Sequence, residues 1–385
     1  MDRRPAEEPP EFSDAEFDRR RAAIRSLMDE HGVEVLLAYG ANRSGSAVTW
    51  LTGWPVTREA VLVLDRHGDL ELLVGFFNHV PNAQRLARSQ VRVDWCGSDT
   101  AETVVRLLSR HRRTPAVGTL GALPASLATA LASVARLVPL NRPYTAVRQC
   151  KSDEELAHLR WAAALTDLSA YALVAAAVPG ATELDLVAAV EGAYAGSGGT
   201  NHVHYVTSTP MYAPDRCAPA QWPTRRRLAR GDVVIFELST AWGQDYPGQV
   251  LRTVTVDAEP TSLYRDLHGV AEDALDRIAS LLRPGVAPAE LLAAADGIER
   301  SGFVGFDDLV HGLGGGYLPP VLSCRSPLPT GLDAEPLRAG MALVVQPNVC
   351  TQDLRAGVQT GEMFVVTDGA PEVLHRLPRG ILAGG

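Results

Sequence analysis

Two polar side chains stand at matching places in apolar strands. Glu237 sits in GDVVIFELS, six positions after Gly231, and Gln346 sits in GMALVVQPN, six positions after Gly340. In the first segment Val233, Ile235 and Glu237 share one face of a strand, and Val234, Phe236 and Leu238 the other. A carboxylate among apolar neighbours is costly unless something answers it, which marks Glu237 as a site residue. Glu362, in GVQTGEMFVV, is the second carboxylate of this kind. Buried near one another, the two would share a proton at neutral pH and form an acid/base pair. The alternative for Glu362 is an ion pair with an arginine such as Arg252. Gln249 and Gln346 do no acid/base work. Each offers two donors and an acceptor, enough to fix an amide, urea-like or carboxylate group.

The histidines supply proton transfer. His202 and His204 lie in TNHVHYVTSTP, where strict alternation puts both on one face with Tyr205 opposite. One of them serves as general base, or both are hydrogen-bonded structural groups. His311 opens HGLGGGY, whose glycines admit a ligand close to the backbone, and Tyr317 ends that run as a hydroxyl donor or a packing group. Cys217, in APDRCAPA, is a thiol with no histidine beside it in sequence, an arrangement that is usually inert.

These residues need a scaffold, and the chain shows one used twice. VPGATELDLVAAVEGAY (178–194) matches RPGVAPAELLAAADGIE (283–299): a Pro-Gly turn, a spacer, then an amphipathic helix with an acidic first turn. Gly180 and Gly285 are 105 residues apart, Gly231 and Gly340 109. A helix-plus-hairpin unit duplicated inside one domain explains both offsets, and the period is far too long for a solenoid. A long helix over 153–177, capped by Ser152 with Glu155 at the capping-box position, introduces the pair. Before it, residues 1–13 read as a loose tail and a helix capped by Ser13 runs to His31. Short apolar segments follow at 33–40, 47–54, 59–65 and 69–76, read as strands, with helices near 81–88, 101–112 and 124–135.

At 385 residues and 46% hydrophobic composition the chain has material for two domains. The expected division is 1–146, a small mixed α/β domain, and 147–385. A net charge of −9 argues against nucleic acid or an anionic membrane as partner. Lys151 is the only lysine, which leaves almost no candidate for Schiff-base chemistry. The five cysteines lack CxxC spacing, so neither a disulfide framework nor a zinc cluster is indicated. With no apolar run of about 18 residues and a polar, proline-rich start, a cytoplasmic protein is expected.

Five segments in order resemble the creatinase/aminopeptidase P (M24) superfamily over nearly the whole chain. They are RQCKSDEELAHLR, PTRRRLARGDVVIFEL, HGLGGG, MALVVQPNV and GVQTGEMFVVTDG. The resemblance implies an α/β (α+β) architecture: a pita-bread C-terminal domain with a pseudo-twofold repeat, preceded by a smaller mixed α/β domain. It also implies a homodimer in which the N-terminal domain of one subunit lies near the site of the other. Arg58 and His79 fall where related proteins send residues into a partner's site, Arg58 suiting a substrate carboxylate.

The family's metallopeptidases hold two divalent cations with two Asp, one His and two Glu. The matching positions here are Glu237, Gln249, His311, Gln346 and Gly361, with Glu362 beside the last. The resemblance therefore implies no metal cofactor. The expected function is metal-independent, creatinase-like hydrolysis of a C–N bond, amide, amidine or urea-like, of a small polar metabolite. The family's creatinase histidine position is Ala220 here, which throws proton transfer onto His202 or His204. A lyase or cyclase working by proton abstraction, and a non-catalytic binding protein, are the alternatives.

Overall fold

The computed structural model describes residues 8–87, 90–110, 114–243, 245–325 and 328–385. Residues 1–7 of the expected tail, and the last residues of the helices expected at 81–88 and 101–112, lie outside these. The chain divides into two compact units, Phe12–Arg148 and a second made of Gln149–Gly385 with residues 8–11, so the main boundary falls two residues beyond the expected one and the start of the chain belongs with the C-terminal unit.

The N-terminal unit is one mixed sheet with helices on it. Its strands are β1 (Val35–Ala41), β2 (Glu59–Asp65), β3 (Leu70–Val74), β4 (Arg92–Trp95), β5 (Ala116–Leu120) and β6 (Arg136–Pro139), in the order β4-β3-β2-β1-β5-β6. The segment at 47–54 is not a strand: Ala47–Thr52 is a single helical turn and a half, ended by Gly53 at φ 75°. Ala47, Val48, Trp50 and Leu51 all enter the core from it. A short apolar run carries no periodicity that separates the two states, and the left-handed glycine decides for the helix.

The C-terminal unit holds the duplicated scaffold. Its first half is β7 (Thr200–Pro210), β8 (Asp232–Ala241) and β9 (Val250–Val256), all antiparallel neighbours. Helices Asp153–Ala176 and Glu183–Ala195 precede them, each closed by a two-way capping box, Ser152 with Glu155 and Thr182 with Asp185. The second half opens with helix Ser262–Ser280 and the shorter helices Pro288–Ala294 and Gly297–Arg300. Its strands are β10 (Val304–Gly305), β11 (Asp308–Leu313), β12 (Tyr317–Ser323), β13 (Ala342–Val345), β14 (Asn348–Cys350), β15 (Gly357–Gln359), β16 (Glu362–Val365) and β17 (Glu372–Val373). The final strand, β18 (Leu382–Gly384), returns to lie parallel to β9.

The pairing of β8 with β9 is matched by that of β13 with β16. Gly231 and Gly340, which start the two hairpin strands, have φ of 86° and 84°, a backbone shape that favours glycine. The halves meet where Leu251 and Gly361 exchange backbone hydrogen bonds of 2.9 and 3.0 Å. Each half has its own apolar core. Val234, Phe236 and Leu238 pack with the first pair of helices, while Val310, Leu343, Val345 and Phe364 pack with helix Ser262–Ser280.

Candidate functional site

The site is a chain of four side chains across the junction of the halves. Gln249 Nε2, just before β9, lies 2.9 Å from Glu237 Oε1 on β8 and 2.8 Å from Gln346 Oε1 at the end of β13. The same Gln346 oxygen is 3.2 Å from His311 Nε2 on β11, and His311 Nδ1 is 3.2 Å from the carbonyl of Gly312. All four side chains are buried, Glu237 at 8% exposure and His311 at 1%. The strand alternation that put Glu237 apart from Phe236 and Leu238 is what aims it here.

Burial sets the protonation of both ends. Loss of water raises the Glu237 carboxyl from its ordinary 4.5 to about 8, and the nearby carboxylates of Asp307 and Asp308 push the same way. The same cause lowers His311 to about 4, despite its contacts with Gly312 and Gln346. At neutral pH the stable pair is therefore an uncharged acid and an uncharged imidazole.

The outer wall is aromatic and acidic. The Tyr317 ring stacks on His311, centroids 4.1 Å apart and planes 22° from parallel, and its hydroxyl donates to Asp308. Tyr317 is 53% exposed. Tyr205 pairs directly with Glu237 across β7 and β8, and burial together with Glu237 and Asp307 raises its phenol. Asp307 is itself raised, by burial and by Asp308. Sequence reading missed Tyr205, Asp307 and Asp308. The direct cross-strand position is the one signal that would have found Tyr205.

Several expected site residues lie elsewhere. His204 is turned away from Glu237: its ring packs on Tyr194, Nε2 3.2 Å from the phenol oxygen, and Nδ1 is 2.6 Å from the Val203 carbonyl. It pairs with Leu238, on the helix-covered face of the sheet, and burial lowers its pKa. Tyr205 takes the face next to Glu237. A bulge at His202, between Asn201 and Val203, breaks the alternation that would have put both histidines on one face. His202 is solvent-exposed and close enough to His311 to oppose its protonation.

Glu362 is the ion pair, not a partner of Glu237. Arg252 Nη2 donates to it at 2.8 Å and Arg379 Nε at 2.9 Å. Arg252 is wholly buried and also binds the carbonyls of Leu251, Gly361, Leu377 and Pro378. Cys217 is buried against Cys350. In the N-terminal unit, the Arg58 guanidinium lies over the Phe76 ring, and His79 Nδ1 is 3.2 Å from the Thr57 hydroxyl.

Two duplicated halves thus close on a buried acid, an imidazole and two amides. The chain belongs to metallopeptidase family M24, whose model matches residues 157–368. It is 26% identical, over 96% of its length and 98% of the relative's, to an uncharacterized hydrolase/peptidase, y4tM, of Sinorhizobium fredii. It is 25% identical over 61% of either chain to a probable dipeptidase, PepE, of Mycobacterium bovis. Its fold is similar to that of an Xaa-Pro dipeptidase from Bacillus anthracis, with a TM-score of 0.80 at 20% identity, covering 95% of this chain and 99% of the other. A prolidase from Thermococcus sibiricus gives 0.82 at 19% identity, covering 97% and 100%. The pita-bread architecture with its smaller N-terminal domain is thus that of the family.

Proposed function

We propose that the protein is a metal-independent hydrolase of a C–N bond, amide, amidine or urea-like, in a small polar molecule. The observation that carries this is the unbroken chain Glu237–Gln249–Gln346–His311. A neutral imidazole donates from one nitrogen only, and both Gly312 O and Gln346 Oε1 face His311 as acceptors. Turning both amides over gives each contact along the chain one donor and one acceptor. His311 Nδ1–H then donates to Gly312, Gln346 NH₂ donates to His311 Nε2, and the Glu237 O–H donates to Gln249 oxygen. With each amide in the opposite orientation, His311 would have to donate from both nitrogens, the charged form that its lowered pKa disfavours.

The residues present do not fit the family's metal pair. Two divalent cations carry four positive charges, and at the five matching positions Glu237 is the one carboxylate. Amide oxygens are poor ligands for Mn, Co or Zn beside carboxylate and imidazole. At Gly361, a Cβ would stand 2.8 Å from both Gln346 Cα and Val345 O, so even the stem of a fifth ligand is excluded. Among the described residues, no three His, Cys, Asp or Glu gather as a metal-binding group.

In the reaction Glu237 gives its proton to the leaving nitrogen while the oxygen of a water adds to the carbon. The C–N bond breaks, and a proton of that water returns to the Glu237 carboxylate. Gln249, Gln346 and His311 hold that carboxylate in place, and Tyr317 and Tyr205 flank the reacting group. Asp307 and Asp308 make the surroundings negative. This favours a cationic amidine or guanidine over a substrate that presents a carboxylate. The second reading is a lyase or cyclase, in which the same residues abstract a proton and no water is added. Turnover in oxygen-18 water, with protein dialysed against chelator, tests the first reading. The label enters one product and chelation leaves the rate unchanged. Unlabelled products turn the assignment to lyase, and loss of activity on chelation with recovery on adding Mn, Co or Zn ends it.

A further inference from the structure

Cys217 has no imidazole partner in the sequence, and in the structure its partner is a second thiol. Cys217 lies on the loop between β7 and β8, and Cys350 ends β14, four residues beyond Gln346. The two thiols are near enough to perturb each other's titration. Cys350 Sγ also lies 3.4 Å from the carbonyl oxygen of Cys217 and 3.1 Å from Asn348 Oδ1. Both residues are buried.

The close approach is built in on the facing strand. Gly357 pairs with Cys350, and a Cβ there would stand 2.8 Å from Cys350 Sγ and against the carbonyl oxygen of Cys217. Only a residue without a side chain lets the loop lie this near β14. We infer that Cys217 and Cys350 are a redox modification site, a thiol pair that closes to a disulfide under peroxide and pins the loop to the site hairpin.

The roles of the two sulfurs differ. The neighbouring Cys350 thiol holds Cys217 below its ordinary thiol pKa, and the Cys217 thiol together with burial raises Cys350. Cys217 is therefore the attacking sulfur. Its thiolate takes the terminal oxygen of hydrogen peroxide, forming a sulfenic acid and releasing water once protons are counted. The Cys350 sulfur then displaces that hydroxyl, and the second water leaves as the S–S bond forms. Peroxide is reduced and the two thiols are oxidised, with no further reagent. Elsewhere Cys324 packs at Gly305, and the Cys96 thiol is raised chiefly by burial.

The test is thiol counting and peptide mapping of the full chain exposed to hydrogen peroxide. Thiols accessible after denaturation fall by two from the five present, a Cys217–Cys350 peptide appears, and dithiothreitol restores both. Cys350→Ser stops the reaction at a sulfenic acid on Cys217 that dimedone traps. The unaltered protein gives the linkage result by itself, should that variant fold poorly. Linkage to another cysteine, loss of Cys96, Cys150 or Cys324 before this pair, or five surviving thiols overturns the proposal. None of these readouts uses substrate, so they stand apart from the hydrolase assignment.

Discussion

Replacing Glu237 by Gln keeps the side chain's shape and removes its titration. In the folded chain this carboxyl is raised from 4.5 to about 8, chiefly by burial. A carboxyl raised on folding contributes stability that is full below the unfolded pKa and is lost as pH rises through the folded one. Each pH unit between those values costs about 1.4 kcal/mol. The wild type therefore gives up about 3 kcal/mol between pH 4.5 and pH 7, and about 5 kcal/mol once the pH is above 8. Glu237→Gln pays neither loss, so it is more stable than wild type by a margin that is near zero at pH 4.5 and grows with pH. For a unit the size of residues 149–385, about 3 kcal/mol at pH 7 raises the melting temperature by roughly 6 °C or more. Calorimetric scans of both proteins from pH 5 to pH 9 read this difference, and activity of the variant is lost throughout. A margin that stays flat with pH, or a variant less stable than wild type above pH 7, would refute the reasoning.

Glu362→Gln should behave oppositely. It leaves Arg252 buried without its charge partner, and costs about 3–5 kcal/mol of stability; the protein that remains folded keeps its turnover per active molecule, and a selective loss of turnover would place Glu362 in the chemistry. Methylguanidinium should bind the site about tenfold more tightly than the neutral isostere N-methylurea, a difference of about 1.4 kcal/mol. The preference should fall when Asp307 and Asp308 are both changed to Asn. Equal affinity in calorimetric titration removes the argument for a cationic substrate and leaves the hydrogen-bond chain untouched.

Much of the scaffold was legible because it is written in residues with one physical meaning. Gly231 and Gly340 need a left-handed backbone, and the repeat they begin places Glu237 and Gln346 at equal steps. The capping box of Ser152 and Glu155 appears as the sequence implies. What stayed hidden is what depends on contacts between distant segments. A one-residue bulge at His202 is invisible to alternation, and it separates the two histidines. Asp307 and Asp308 reach Glu237 only once β11 is laid beside β13. For Glu362 the sequence offered an arginine or a carboxylate partner. The choice rests on Arg252 and on Arg379, which lies 17 residues further on.

The backbone bridge at Leu251 and Gly361 has a consequence for anyone wishing to rebuild this site. Carboxylates can be written back at positions 249 and 346 by changing side chains alone. Position 361 is different, since the obstacle there is main chain: Gln346 Cα and Val345 O occupy the space of the first carbon. An engineer aiming for a two-metal peptidase must first part the strands that carry residues 345–346 and 361. Those strands also carry the hydrogen bonds that join the two halves. Conversion would therefore need a new backbone before it needs new ligands, and side-chain grafting on this template should yield misfolded protein rather than a metalloenzyme.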